Sequence, residues 1–166
     1  MKIGTNEVER RVQAFSEVCR RYGAKATHQR REIYRELLRT DEHPAAETIY
    51  ARVRKRIPAI SLDTVYRTLR LLEKKGLISR AGFLNEKARF DANTLPHHHF
   101  VCTRCGFMGD IYHKERDEFL ALRDVSAMGT VNSVHIELRG ICKSCQKNSR
   151  LKDNYFFAIL IVISTI

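Results

Sequence analysis

Two Cys-x-x-Cys pairs constrain this chain more than any other feature. The first pair is Cys102 and Cys105, and the second is Cys142 and Cys145. Together they supply four thiolates, which is enough to close a tetrahedral zinc site with no open position. The intervening residues, 106–141, are too many for a compact zinc ribbon, so a small subdomain must fit between the pairs. We therefore predict a structural Zn(II) bound by all four cysteines.

The cysteine count also bears on the cellular compartment. The N-terminus lacks the apolar core of a secretory signal, which predicts a cytoplasmic protein. In a reducing cytosol, paired Cys-x-x-Cys indicates metal binding rather than a disulfide. The fifth cysteine, Cys19, follows Phe15 and Val18 in a helical pattern, and we expect it to be a small buried apolar group.

The charge of the chain is unevenly distributed. Its net charge is +11, and residues 1–92 carry 21 Lys+Arg against 12 Asp+Glu, whereas residues 93–166 carry 9 against 7. A basic N-terminal half favours a polyanionic partner, above all nucleic acid. The alternative is a well-solvated basic surface. No membrane association is expected, because the uncharged stretch Tyr155–Ile166 is shorter than the 17 or more residues that a span typically needs, at about 1.5 Å per residue.

Apolar periodicity in the N-terminal half predicts four helices followed by a β-hairpin. Thr27 and Ser61 are expected to cap the second and fourth helices, and Gly23 and Gly76 to follow the first and fourth. The predicted helices span 6–22, 28–39, 45–56 and 62–75, and the predicted strands span 77–80 and 88–91. This order is that of a winged helix-turn-helix, in which the last helix can enter a DNA major groove.

The recognition helix carries a polar and an apolar side. Its predicted core side consists of Leu62, Val65, Tyr66, Leu69 and Leu72. Its predicted outer side consists of Thr64, Arg67, Thr68, Arg70 and Lys74. Arg and Lys on such a face reach phosphates, and Arg can also read base edges. The alternative is a solvated polar face on a plain helical domain.

The remainder of the chain predicts a second, mixed domain, and the fold class is α+β. Residues 1–91 form the winged-helix domain, 92–96 a hinge, and 97–150 a small α/β domain that binds metal. In this second domain we expect strands at 100–101, 108–112 and 131–141, and a helix at 115–127. The apolar tail, 151–166, has no assigned role, although its last twelve residues resemble a strand that must be buried or paired.

A run of three histidines precedes the first cysteine pair. His97 and His99 alternate along a strand and share a face, whereas His98 points elsewhere. With Asp91 and Asp110 as candidate carboxylates, they form a mixed N/O site that suits Fe(II), Mn(II) or Zn(II) and releases metal more easily than thiolates. Single histidines without a partner pattern are expected at the surface or in structural roles, and these are His43, His113 and His135.

Several motifs together make the chain resemble the ferric uptake regulator family over about residues 8–147. They are Thr27-His28-Gln29-Arg30, His43-Pro44 with Glu47-Thr48-Ile49-Tyr50, Ile60-Ser61-Leu62-Asp63-Thr64-Val65-Tyr66-Arg67, Gly76-Leu77-Ile78, His97-His98-His99 and both cysteine pairs. The resemblance implies a metal-dependent repressor that binds an inverted-repeat operator in double-stranded DNA as a homodimer, with residues 97–150 as its dimerisation domain. Tyr66 and Arg67 fall on the family's DNA-contacting positions, beside Thr64 and Arg70.

The resemblance also implies a regulatory site for Fe(II) or Mn(II). Matched position by position, its ligands are His43, Asp91, His97, His99 and Asp110. His43 lies in the DNA-binding domain and Asp91 at the hinge, so one bound ion would hold the winged helices at the angle that fits DNA. An ion that binds this arrangement better shifts the population towards it.

Two features favour the peroxide-sensing branch of the family over its iron-uptake repressors, which remain the alternative. Asp at both 91 and 110 resembles the peroxide sensors, in which bound Fe(II) reacts with peroxide and a ligand histidine becomes oxidised, here His43 or His97. The family's additional metal site is expected to be absent, because Pro96, His98 and Val134 replace the pattern that it needs. Five protein ligands and thiolates held by metal argue against a hydrolase and a thiol oxidoreductase, so no enzymatic activity is expected.

Overall fold

Two structural units make up the chain. A computed structural model describes residues 3–84, 87–112, 129–130, 134–147 and 162–163, and it divides the chain into Met1–Leu95 and Pro96–Ile166. The division falls inside the segment 92–96 that the sequence predicts as a hinge. The functional domain limits remain a prediction.

Four helices and a two-stranded hairpin form the first unit. The helices are α1 (Thr5–Arg21), α2 (His28–Leu38), α3 (Ala46–Arg54) and α4 (Leu62–Lys74), and the strands are β1 (Ser79–Leu84) and β2 (Lys87–Asp91). Thr27 and Ser61 accept hydrogen bonds from the backbone N–H groups of Arg30 and Thr64, so both predicted N-caps are confirmed. Gly23 and Gly76 follow their helices with a φ of +65°, a conformation that glycine adopts without steric cost.

One apolar core holds these helices together. Phe15 on α1, Ile33 on α2, Ile49 on α3, and Leu69 and Leu72 on α4 are each 1% exposed or less. Burying one such side chain stabilises a fold by about 1.5–3 kcal/mol. The core therefore fixes the side of α4 that faces inward, and with it the side that is left for a partner.

The hairpin is longer than the sequence predicts. Its strands pair antiparallel from Ser79↔Asp91 to Leu84↔Lys87, and a register shift between Arg80 and Gly82 allows pairing to continue. Gly82 has a φ of +138°, which glycine tolerates at such an irregularity. The predicted turn 81–87 is thus largely strand.

The second unit contains a four-stranded sheet in the order β4-β3-β5-β6. Its elements are β3 (His98–Cys102), β4 (Met108–Ile111), β5 (Ile136–Gly140), α5 (Lys143–Lys147) and β6 (Val162–Ile163). Strand β3 lies inside the sheet, because it pairs antiparallel with β4 and parallel with β5. It contains His98 and His99 and ends at Cys102.

Some predictions for the second half require correction and others lie outside the described residues. The strand expected at 131–141 comprises Ile136–Gly140, and the short helix α5 was not predicted. The helix expected at 115–127 falls on residues that the structure does not describe. Of the tail, Val162 and Ile163 pair with Glu137 and Ile136. Among the described residues no helix has the length and apolar character to cross a bilayer.

Candidate metal centres and nucleic-acid interface

The first cysteine pair lies on a tight turn between β3 and β4. Cys102 ends β3 and is fully buried, whereas Cys105 is exposed. The N–H group of Gly106 donates to the carbonyl of Cys102, and the N–H group of Cys102 donates to the carbonyl of Phe107. Gly106 has a φ of +71°, so the turn uses the left-handed conformation that glycine provides.

The second pair meets the first at the start of α5. The Cys142 N–H group donates to Cys102 Sγ over 3.3 Å, and Cys105 Sγ lies 3.7 Å from Cys142 Sγ. All four sulfurs, including that of Cys145, lie within 4.8 Å of one another. Sulfurs bound at about 2.3 Å to one tetrahedral zinc are about 3.8 Å apart, which agrees with the measured spacing.

The thiol pKa values differ widely within this cluster. Burial raises the pKa of Cys102, but backbone N–H groups of Cys142, Cys105 and Arg104 outweigh it and lower this pKa to about 6. Hydrogen bonds with Cys105 and Cys142 raise the pKa of Cys145 to about 12. Cys102 therefore loses its proton more easily than an ordinary thiol and Cys145 less easily, unless a cation compensates the negative charge. The donor set fits Zn(II), which binds thiolates in this way.

In the first unit, His43 and Asp91 form a buried pair of candidate ligands. His43 is 2% exposed and Asp91 is 8% exposed. His43 Nε2 lies 3.6 Å from Asp91 Oδ2. The other carboxylate oxygen of Asp91 accepts a hydrogen bond of 2.7 Å from the backbone N–H group of Asn93, which orients the side chain.

In the second unit, three further candidate ligands lie together: His97 immediately before β3, His99 on β3 and Asp110 on β4. The Nε2 atoms of His97 and His99 are 2.9 Å apart, so the expectation that these two histidines share a face agrees with the geometry. Asp110 pairs with His99 in the sheet register. Its Oδ1 atom is 3.8 Å from His97 Nε2 and 4.0 Å from His99 Nε2. Tyr112 donates its hydroxyl to Asp110 Oδ2 over 2.9 Å.

Both groups of side chains fit a divalent transition-metal ion. Each offers imidazole nitrogen and carboxylate oxygen, the mixture that suits Fe(II), Mn(II) and Zn(II). Burial of these donors requires a compensating positive charge or hydrogen bonds, because unpaired buried carboxylates are unfavourable. The sequence predicted all five residues, and whether they bind one ion together remains a prediction.

The other histidines have different surroundings. His98 Nδ1 accepts a hydrogen bond from the backbone N–H group of Ile136 over 3.3 Å, so this histidine helps to join β3 to β5. His135 is exposed, and His113 lies outside the described residues. The absence of the additional metal site predicted from Pro96, His98 and Val134 stays a prediction.

The surface of α4 differs from the prediction at two positions. Thr68 was expected to face outward, but it is 1% exposed and donates its hydroxyl to the carbonyl of Thr64 over 2.7 Å. Tyr66 was assigned to the core side by periodicity, yet it is 38% exposed, which agrees with the DNA-contacting role that the family resemblance implies. Arg67 and Arg70 are exposed, and Arg67 pairs with Asp63 of the same helix over 3.0 Å.

Sequence reasoning missed an acidic contact beside this surface. Glu47 on α3 lies 3.2 Å from Lys87 Nζ on the hairpin and accepts a hydrogen bond of 3.4 Å from the Tyr66 hydroxyl. Its pKa is lowered, chiefly by its own backbone N–H group and further by Lys87 and Tyr66, so it stays ionised. The contact joins α3, α4 and the hairpin. No local sequence pattern predicts this contact, because the three residues are far apart in the chain.

Comparison with known proteins identifies the family. The model of the ferric uptake regulator family matches residues 21–139. A peroxide-responsive repressor from Staphylococcus epidermidis is 32% identical over 128 residues, covering 77% of this chain and 85% of the relative. Two solved structures align well: the Helicobacter pylori ferric uptake regulator (TM-score 0.74, 24% identity, 88% and 97% coverage) and the Campylobacter jejuni peroxide stress regulator (TM-score 0.61, 29% identity, 81% and 98% coverage).

The chain therefore belongs to the ferric uptake regulator family of metal-responsive transcriptional regulators. The α+β fold is confirmed, with an N-terminal winged helix-turn-helix followed by a small α/β unit. That this second unit dimerises stays a prediction. This assignment rests on a match over most of the chain, and the cysteine and histidine clusters supply the donor groups that such a regulator requires.

Proposed function

We propose that this protein is a peroxide-responsive repressor that binds an inverted-repeat operator as a homodimer when Fe(II) or Mn(II) is loaded. The observation that carries the proposal is the contrast between two kinds of donor. Thiols alone form one cluster, whereas imidazoles and carboxylates meet at His43 with Asp91 in the first unit and at His97, His99 and Asp110 in the second. Thiolates retain Zn(II) tightly, whereas the mixed donors exchange their metal more easily. One ion is thus structural and the other regulatory.

Structural zinc is assigned to Cys102, Cys105, Cys142 and Cys145. These residues connect the end of β3 to α5. Zinc bound at such a position contributes directly to folding free energy. It would hold the second unit in the conformation that dimerises.

The regulatory ion is assigned to His43 and Asp91 of the first unit together with His97, His99 and Asp110 of the second. Ligands from both units allow metal occupancy to control the arrangement of the winged helices. An ion shifts such an equilibrium only by its differential affinity for the two arrangements. DNA would then be contacted by Thr64, Tyr66, Arg67 and Arg70 of α4.

The peroxide signal is supported by two observations. Both carboxylate ligands are aspartates, as in the peroxide-sensing branch of the family, and the named relatives from S. epidermidis and C. jejuni are peroxide regulators. Bound Fe(II) would supply reactivity towards peroxide. The imidazoles of His43 and His97 are then the side chains that become oxidised.

The test is a DNA-binding assay on anaerobically purified protein, loaded with Fe(II) or Mn(II), before and after a micromolar peroxide pulse. Mass spectrometry of the peptides containing His43 and His97 accompanies it. We expect loss of DNA binding in the Fe(II) form alone, with one added oxygen on either histidine. His135→Ala, which alters an exposed histidine, should respond like the unmodified chain and serves as the control.

Two outcomes would contradict the proposal in different ways. DNA binding that follows Fe(II) concentration and ignores peroxide would make the protein an iron-responsive repressor of the same fold, and the argument from Asp91 and Asp110 would be wrong. DNA binding that needs no metal in the mixed site would remove the regulatory assignment altogether.

A further inference from the structure

The backbone at His43 is unusual within the described part of the chain. His43 has a φ of +50°, and no other described non-glycine residue has a positive φ. This left-handed conformation is unfavourable for a side chain with a Cβ atom, so surrounding contacts must stabilise it. It also directs the imidazole of a proposed metal ligand, which makes those contacts relevant to metal binding.

Arg89 on β2 supplies these contacts through its guanidinium group. Its Nε atom donates to the carbonyl of His43, and its Nη2 atom donates to the carbonyl of Glu42 over 2.7 Å. A planar guanidinium can reach two neighbouring carbonyls at once, whereas a lysine ammonium acts as a single point charge. Neither carbonyl belongs to a helix or strand, so Arg89 replaces the missing backbone partners.

The strand that carries Arg89 adds backbone contacts of its own. The Phe90 N–H group donates to the carbonyl of Pro44 over 3.1 Å, and Ala45 forms an isolated β-bridge with Arg89. The segment 42–45 is therefore fastened along β2. Asp91 is the last residue of that same strand.

We propose that Arg89 is a positioning residue for the regulatory metal site, a role that rests on the function proposed above. By fastening the His43 segment to β2, Arg89 fixes the imidazole of His43 relative to the carboxylate of Asp91 before an ion arrives. Preorganised ligands bind more tightly, because less conformational freedom is lost on binding. Groups that orient the ligands of a metal in this way affect affinity without touching the ion.

The experiment compares Mn(II) binding by the full-length, zinc-loaded protein and its variants, measured by isothermal titration without oxygen. Arg89→Gln should weaken Mn(II) binding by about 10- to 100-fold, the range typical of residues that orient metal ligands. Arg89→Lys, which keeps the charge, should lie between Arg89→Gln and the unmodified chain. The matched control is Arg80→Gln, because Arg80 lies on the partner strand and pairs with Glu73 over 2.8 Å.

A double-variant cycle separates positioning from general stability. When His43 is already alanine, Arg89→Gln should change Mn(II) affinity by less than about twofold. The reason is that Arg89 acts on the metal through His43, so its effect disappears once that imidazole is gone. The visible spectrum of bound Co(II) should also change in Arg89→Lys, because it reports ligand geometry. Thermal unfolding of the zinc-loaded variants without Mn(II) shows whether each remains folded, and Arg89→Lys carries the test if Arg89→Gln does not.

The outcomes distinguish this inference from the proposed function. Two results would overturn the positioning role alone. One is an unchanged Mn(II) affinity in both folded Arg89 variants, and the other is that Arg89→Gln weakens Mn(II) binding as much when His43 is alanine as when it is histidine. Mn(II) affinity that is unchanged by His43→Ala would overturn the regulatory site itself, and the role of Arg89 with it.

Discussion

Replacement of Glu47 by glutamine should alter how DNA binding depends on salt. In the free protein, Lys87 Nζ lies 3.2 Å from the Glu47 carboxylate, and the two side chains are 58% and 38% exposed. A salt bridge this exposed contributes at most about 1 kcal/mol to stability, so the fold should tolerate its loss. Glutamine keeps an oxygen that can accept the Tyr66 hydroxyl, and the change therefore releases Lys87 alone.

The expected magnitude follows from counterion release. Each additional phosphate neutralised steepens the plot of log affinity against log salt by about 0.9, or about 1.8 for the two copies in a dimer. Between 50 and 200 mM salt, Glu47→Gln should therefore lose about 12-fold more affinity than the unmodified protein. At low salt it should bind DNA more tightly.

The assay is fluorescence anisotropy with one DNA duplex, selected from a random pool by the Mn(II)-loaded protein, over this salt range. Lys87→Gln alone should leave the slope nearly unchanged, because Glu47 already neutralises the lysine. The double variant Glu47→Gln/Lys87→Gln should return to the original slope. An unchanged slope in Glu47→Gln would refute the reasoning that the ammonium group of Lys87 pairs with Glu47 rather than with a DNA phosphate.

Four further predictions concern the two metal sites, the recognition helix and the first helix. Cys102→Ser should release zinc and unfold or monomerise the protein, because structural zinc contributes folding free energy; a folded, DNA-binding dimer in ultracentrifugation would contradict this. His43→Ala should keep the dimer but weaken metal-dependent DNA binding, and unchanged affinity at saturating Mn(II) would count against the regulatory site. Arg67→Ala should weaken DNA binding and, where Arg67 reads a base, lose about 1–3 kcal/mol of discrimination at one position in a competition assay. Hydrogen bonds from Arg10 and then Arg11 lower the pKa of Glu7 from 4.5 to about 2, so the stability that Glu7 contributes is present above pH 4.5 and is lost as pH falls through about 2. Glu7→Gln should remove this part of the acid dependence of thermal unfolding, and an identical pH profile in the variant would exclude a contribution from Glu7.

Local sequence patterns predicted the helices of the first unit well. Helix ends are set by neighbouring groups, such as the Thr27 and Ser61 side chains and the glycines that follow, and these groups are visible in the sequence. Cysteine spacing predicted the thiol cluster for a similar reason, since each pair needs only a tight turn to present two sulfurs. The short helix α5 was missed, because five residues carry too little periodicity to be recognised.

Periodicity was less reliable on the recognition helix. Thr68 and Tyr66 lie near the boundary between its two faces, where a small rotation of the helix decides exposure. Packing of Leu69 and Leu72 fixed that rotation, and it buried the threonine and exposed the tyrosine. A hydroxyl can be buried at this position because it donates to the carbonyl of Thr64 within the same helix.

The sequence by itself determined which donor atoms this protein offers, because thiols, imidazoles and carboxylates are properties of residue types and their spacing. Only the tertiary structure decided which residues orient them. Arg89 is separated from His43 by 46 positions, and Lys87 from Glu47 by 40. Such pairs meet because the hairpin folds back onto the turn before α3, and no local pattern in either segment encodes that meeting.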